Sequence, residues 1–168
     1  ENPHQAAAYY SRSANLGPLG GTVLGGKQLS YNNILDLDSA WRAVSSFNEP
    51  AVVIVKHLNP CGIAIGSSIT EVFPGALASD PVSAYGGVIA VNRIVDEDFV
   101  AALGSLFVEA IAAPAFSPAA QTSLAENRKN CRLLQVPLAY NGSELEVRSV
   151  QGGWLVQSAD TGDPVGTT

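Results

Sequence analysis

Cationic side chains are scarce in this chain: nine lysines and arginines against fifteen aspartates and glutamates leave a formal net charge of −6 over 168 residues. The nine are scattered, so there is no basic patch to meet a phosphate backbone, and nucleic acid is excluded as a partner. Any anionic ligand must be held by a few placed cations or by backbone N–H groups. Cysteine is just as sparse. Cys61 and Cys131 are too few for a disulfide framework and form no Cys-x-x-Cys pair, which reads as a reduced, cytoplasmic setting. No apolar run approaches the roughly 20 residues of a membrane-crossing helix, and no charged-then-apolar leader opens the chain, so a membrane is excluded as well. Methionine is absent altogether, position 1 included. The chain opens on Glu1-Asn2-Pro3-His4-Gln5, in mid-motif, as an internal segment of a longer protein would.

What is present is apolar material, 46% of the residues, enough for one core and a single domain over residues 1–168. The most informative stretch is residues 51–62. Ala51, Val52, Val53, Ile54 and Val55 form an apolar run without alternation, the pattern of a strand buried on both faces as in parallel α/β sheets. The run ends in Lys56 and His57, followed by a turn built on Pro60 and Gly62. The carboxyl end of such a strand is where open α/β sheets place their ligands. Two readings of the pair stand: a solvated strand end next to a satisfied histidine, or two proton-handling groups at a ligand site.

Around this segment the chain alternates strands and helices. A short strand is predicted near 22–24. Ile34, Leu37, Trp41, Val44 and Phe47 give a helical period, capped by Asn32 or Asn33, with Asp36 and Asp38 in its first turn where the helix dipole favours them. Pro50 stops it. A strand extension at 63–65 and a helix over 69–78, disturbed at Pro74-Gly75, come next. Residues 79–87 read as a glycine-bearing loop. Strands follow at 88–91, 108–112 and 132–136, helices at 96–103 and 118–130, a strand pair at 144–150 and 153–157, and a fraying end at 160–168. This is an α/β layered domain.

Several strings occur in order: ENPHQAAAYY, KQLSYNNILDLDSAWRAVSSF, VVIVKHLNPCGIAIG, SDPVSAYGGVIAVNR, FVEAIAAPAF and KNCRLL. Together they closely resemble the first half of the transformylase region of the AICAR formyltransferase/IMP cyclohydrolase family, over nearly the entire chain. The resemblance implies a three-layer α/β/α, cytidine-deaminase-like subdomain with a mixed sheet. It also implies a cyclohydrolase domain before residue 1 and a second transformylase subdomain after residue 168. The implied activity is transfer of a formyl group from 10-formyltetrahydrofolate, as cosubstrate, to the amine of AICAR in purine synthesis, by a cytoplasmic homodimer. A deaminase-like scaffold acting only in binding or assembly is the alternative.

By the same resemblance Lys56 and His57 are the catalytic pair, and His4, Asn32, Asn33, Tyr85, Gly86 and Glu109 contact substrate. Neighbours on an extended strand point to opposite faces, so Lys56 and His57 share one substrate only if the chain turns there, at Asn59-Pro60. Asn32 and Asn33 serve equally as helix caps, Tyr85 as core, and Glu109 as a surface carboxylate or as a group orienting Lys56 or His57. The chain departs from the family by lacking Arg-Tyr-Gly before ENPHQ, by carrying Pro74 within a helix, and by lacking the second subdomain. A deaminase zinc site needs a second thiolate beyond Pro60-Cys61 and a His or Cys two residues before a Glu. Neither is present, so no metal is expected and Cys61 reads as a small buried residue.

Overall fold

The computed structural model describes residues 4–11, 16–138 and 145–160. The fraying end expected from 160 lies outside the described residues beyond Asp160. The chain divides into two compact units, Glu1–Leu138 and Ala139–Thr168.

The first unit is a six-stranded mixed sheet with helices on both faces, a three-layer α/β/α arrangement. In chain order its elements are β1 (Thr22–Gly25), α1 (Tyr31–Ser45), β2 (Ala51–Lys56), β3 (Asn59–Ile65), α2 (Ile69–Ser79), α3 (Pro81–Ala84), β4 (Gly87–Val91), α4 (Glu97–Ala102), β5 (Val108–Ala113), α5 (Pro118–Asn127) and β6 (Arg132–Gln135). The strands lie in the order β1-β6-β5-β4-β2-β3. Side chains alternate between two cores. Val52, Ile54, Ile89, Val91 and Ile111 meet Ile69 and Phe73 of α2, Phe99 of α4 and Leu124 of α5. On the other face Val53, Val55, Val88, Ala90 and Ala110 meet Leu37, Ala40, Trp41 and Val44 of α1. Each large side chain buried this way stabilises the fold by about 1.5–3 kcal/mol.

The unbroken apolar run of β2 is therefore explained by two covered faces, but its direction differs from the expectation. β4, β5 and β6 are mutually parallel, whereas β2 is antiparallel to both neighbours, β3 and β4. Helices on both sides impose continuous hydrophobicity whatever the strand's direction. With Val55 opposite Val88 and Gly87 opposite Val108, the carboxyl end of β2 lies at the amino ends of β4 and β5.

Local chemistry accounts for the element ends, with three corrections. Ser30, not an asparagine, caps α1: its Oγ accepts the Asn33 N–H at 3.2 Å while Asn33 Oδ1 accepts the Ser30 N–H at 3.1 Å. Asp36 and Asp38 lie past the first turn; Asp38 pairs with Arg42 one turn on, at 3.0 Å. Pro74 sits inside α2 without ending it. Its ring removes one N–H from the ladder, but Ile69, Phe73 and Ala76 remain buried and Ser68 Oγ accepts the Glu71 N–H, so tertiary packing outweighs the lost bond. Phe73 also meets Phe99 edge to face, centroids 5.6 Å apart. The expected 79–87 loop holds the short α3, capped by Asp80 Oδ1 accepting from Ser83 N at 2.9 Å.

The second unit holds an antiparallel hairpin, β7 (Leu145–Val150) and β8 (Gly153–Ser158), turning at Gly152 with φ 85°. Val147 opposes Val156 and Ser149 opposes Trp154.

Candidate functional site

β2 delivers Lys56 to the end of the sheet, half-buried, and the chain reverses at once. The reversing residues are His57 and Leu58, with φ of 54° and 67°, between Lys56 and its cross-strand partner Asn59. This corrects the expected turn at Asn59-Pro60 and Gly62, all of which belong to β3. Pro60 is tolerated because β3 is an edge strand, and Gly62 is required by close packing, since a Cβ there would stand 1.9 Å from the Ala76 carbonyl oxygen.

Two consecutive non-glycine residues at positive φ are unusual, each disfavoured by roughly 1–2 kcal/mol. The compensating bonds come from α1. Asp36 Oδ1 accepts the Leu58 N–H at 2.7 Å and Asp36 Oδ2 accepts the His57 N–H at 3.3 Å. Ser39 Oγ donates to the Leu58 carbonyl at 3.1 Å, and Asn59 Nδ2 donates to the His57 carbonyl at 2.9 Å. Both residues of the turn thus have their backbone N–H and C=O bonded, while the His57 side chain stands exposed.

Lys56 meets a second structural feature. Its Nζ donates to the Tyr85 carbonyl at 2.6 Å, just past α3. Tyr85 is 59% exposed, and its ring lies 5.5 Å from that of Phe107, itself 42% exposed, at an interplanar angle of 50°. Gly86, at φ 73°, donates to the Phe107 carbonyl at 2.8 Å, and a Cβ on it would lie 3.8 Å from Lys56 Nζ. Glycine here gives both the left-handed backbone and an open approach to the ammonium. The result is a shelf of two aromatic rings and bare backbone beside one cation.

Two further groups shape the field. Burial pushes the Cys61 thiol up, and Asp80 adds to the shift, while Lys56 opposes it, which places all three in one electrostatic neighbourhood. Cys61 is only half-buried, less enclosed than expected. Hydrogen bonds from the Ser83 side chain and backbone hold Asp80 below the usual carboxylate range.

The remaining candidates lie apart in their bonding. Glu109 gives its carboxylate to Arg132 across β5 and β6, not to Lys56 or His57. Asn33 is buried in the α1 capping box, Asn32 is exposed on the first turn, and His4 is exposed. No hydrogen bond or ion pair among the described residues ties these four to Lys56 or His57. Among the described residues, no three His, Cys, Asp or Glu side chains stand together as a metal site, and no helix is long and apolar enough to cross a membrane.

Four residues at this site escape sequence reasoning: Asp36, Ser39, Asp80 and Phe107. The one available signal was a two-residue hairpin turn lacking glycine and asparagine, which needs bonding partners from elsewhere.

A family model described as AICARFT/IMPCHase bienzyme matches residues 1–166. The chain belongs to that family. The AICARFT/IMPCHase bienzymes are bifunctional enzymes of purine biosynthesis, pairing a formyltransferase with a cyclohydrolase. The match runs through every element of both units, so Lys56, His57, Tyr85 and Gly86 all fall within it.

Proposed function

We propose that this chain carries the Lys56–His57 part of a formyltransferase site that moves a formyl group from 10-formyltetrahydrofolate to the 5-amino group of AICAR. The single observation that carries the reading is the Lys56 ammonium at the shelf made by Tyr85, Gly86 and Phe107, with the chain reversing at His57 immediately after it, so the two neighbours are not held to opposite faces as on a continuing strand.

The chemistry asks for such a pair. The AICAR amine is a poor nucleophile because its lone pair is drawn into an imidazole bearing a carboxamide. Its nitrogen forms a bond to the formyl carbon, an N–H proton leaves, and negative charge builds on the formyl oxygen. The bond from that carbon to the folate nitrogen then breaks, and the nitrogen takes up a proton, so protons balance over the reaction. His57 accepts the proton from the amine. The Lys56 ammonium stabilises the oxygen and returns a proton to the departing nitrogen. To reach substrate, Lys56 exchanges its bond to the Tyr85 carbonyl for one to the formyl group. Tyr85 and Gly86 lie against a planar heterocycle, and His4, Asn32, Asn33 and Glu109 complete contacts to substrate. This reading includes a homodimer, a cytoplasmic location and no metal.

The test is a pair of substitutions in the complete enzyme, His57→Ala and Lys56→Ala, with the two activities assayed separately. Formyl transfer should fall at least a hundredfold in each, the scale for losing a proton-transfer or charge-stabilising group, while cyclohydrolase activity stays at the parent level. Near-parental transfer in His57→Ala would sink the assignment.

A further inference from the structure

We infer that Asp36 is a positioning residue for formyl transfer, fixing the His57–Leu58 turn so that His57 faces the same substrate as Lys56. The inference rests on the formyltransferase reading of the Lys56–His57 pair and extends it to a carboxylate on another element. The geometry is specific. One carboxylate spans the two successive N–H groups of the turn, Oδ1 on Leu58 at 2.7 Å and Oδ2 on His57 at 3.3 Å. From the next turn of the same helix Ser39 holds the Leu58 carbonyl at 3.1 Å.

Three physical points make this a device for orientation. The turn adopts φ of 54° and 67° at residues with side chains, a conformation that relaxes unless something outside the turn holds it. Asn59 Nδ2 on the His57 carbonyl is the turn's own contribution, but that residue supplies no acceptor there for the two N–H groups. A carboxylate accepting backbone N–H groups forms charge-assisted bonds, roughly twice as strong as neutral ones. Finally, Asp36 is mounted on α1, whose Leu37, Ala40, Trp41 and Val44 are anchored in the core against β2 itself. Strand and clamp therefore move as one body, and the direction of His57 is tied to the layer behind it. Were the turn to relax toward ordinary negative φ, the β2–β3 pairing beside it would splay and the backbone that carries His57 would turn with it.

The test uses the complete enzyme and reads kcat, KM and melting temperature together. Asp36→Asn keeps size but replaces one acceptor with an amide donor facing an N–H. It should lower kcat for formyl transfer at least tenfold, with KM for AICAR within twofold and cyclohydrolase activity unchanged. Leu58→Gly, which adopts φ 67° without strain, should leave the parent near normal and return a threefold or greater part of the lost kcat when combined with Asp36→Asn. A purely structural carboxylate would instead lower the melting temperature and spare kcat in the folded protein. Should Asp36→Asn not fold, Ser39→Ala reads the clamp from its other arm, where a threefold loss of kcat at constant KM supports the inference and an unchanged kcat overturns it. Full kcat in Asp36→Asn, or a loss that Leu58→Gly leaves untouched, also overturns it. The parent reading is judged separately by His57→Ala: loss there with full activity in Asp36→Asn sinks only the positioning role.

Discussion

Gly62→Ala tests how tightly β3 and α2 are packed together. A Cβ built on Gly62 stands 1.9 Å from the Ala76 carbonyl oxygen and 2.8 Å from its carbon. Carbon and carbonyl oxygen approach no closer than about 3.3 Å, so the helix backbone has to retreat by about 1.4 Å. Neither side is a flexible side-chain tip. The retreat loosens Ile69, Phe73 and Ala76 together, which puts the cost near the upper end of overpacking, about 3 kcal/mol. For a chain of this size that corresponds to a melting-temperature drop of roughly 9 °C. Gly75 is the internal control. It lies in α2 itself, where a Cβ meets only the Ala64 Cβ at 3.8 Å, so Gly75→Ala gains helix propensity, up to about 1 kcal/mol, without a clash. Thermal melts followed by circular dichroism should therefore move in opposite directions for two identical substitutions a few ångströms apart. A Gly62→Ala protein melting within about 2 °C of the parent would refute the described strand-to-helix spacing.

Two stability predictions concern other buried groups. Asn92, 2% exposed, accepts the Ala51 N–H at 2.8 Å and donates to the carbonyls of Phe47 and Glu49 at 2.9 and 2.7 Å, so Asn92→Ala strands three backbone groups and should lower unfolding free energy by about 2–4 kcal/mol, read as a reduced urea midpoint at constant m. Burial pushes the Cys131 thiol from its ordinary 9.0 up to about 12 against the pull of Arg128 and Arg132. Between those values the unfolded chain releases a proton that the native state keeps, so its contribution is intact below pH 9 and is lost as pH rises toward 12, with a slope of at most about 1.4 kcal/mol per unit. Urea titrations of the parent and Cys131→Ala should run parallel below pH 9 and diverge above it, with the parent losing more; parallel curves throughout would contradict the burial.

The layers were legible because both periodicities were written plainly: the apolar run at residues 51–55, and the recurrence of Leu37, Trp41 and Val44 on α1. Strand direction was not, since a strand covered on both faces shows the same hydrophobicity either way along the sheet. The adjacency of Lys56 and His57 was visible, and so was the need for a turn. Its position was obscured because Pro60 and Gly62 carry the usual turn signals yet serve an edge strand and a close helix contact. Asp36 was placed in a helix's first turn by local rules, whereas its partners lie 21 and 22 residues away and exist only after α1 packs on β2. Glu109 illustrates the same limit, its bond to Arg132 being a product of strand neighbourhood.

The sheet's outermost pairing has a bearing on how the chain assembles. β1 hydrogen-bonds to β6, with Thr22 opposite Gln135 and Val23 opposite Leu134, so this strand of the sheet finds its neighbour only after more than a hundred further residues have been synthesised. The β2–β3 hairpin closes over two residues and is available early; β1 cannot be seated until the last strand has emerged, and the loop it closes is the longest in the sheet. Until then the chain around Thr22–Gly25 waits unpaired, and the apolar edge of β5 or β6 stands open on the nascent molecule. A chain on which β6 has not yet emerged would therefore present an open strand edge, so the last strand of this sheet is also the one that closes it against pairing with other chains.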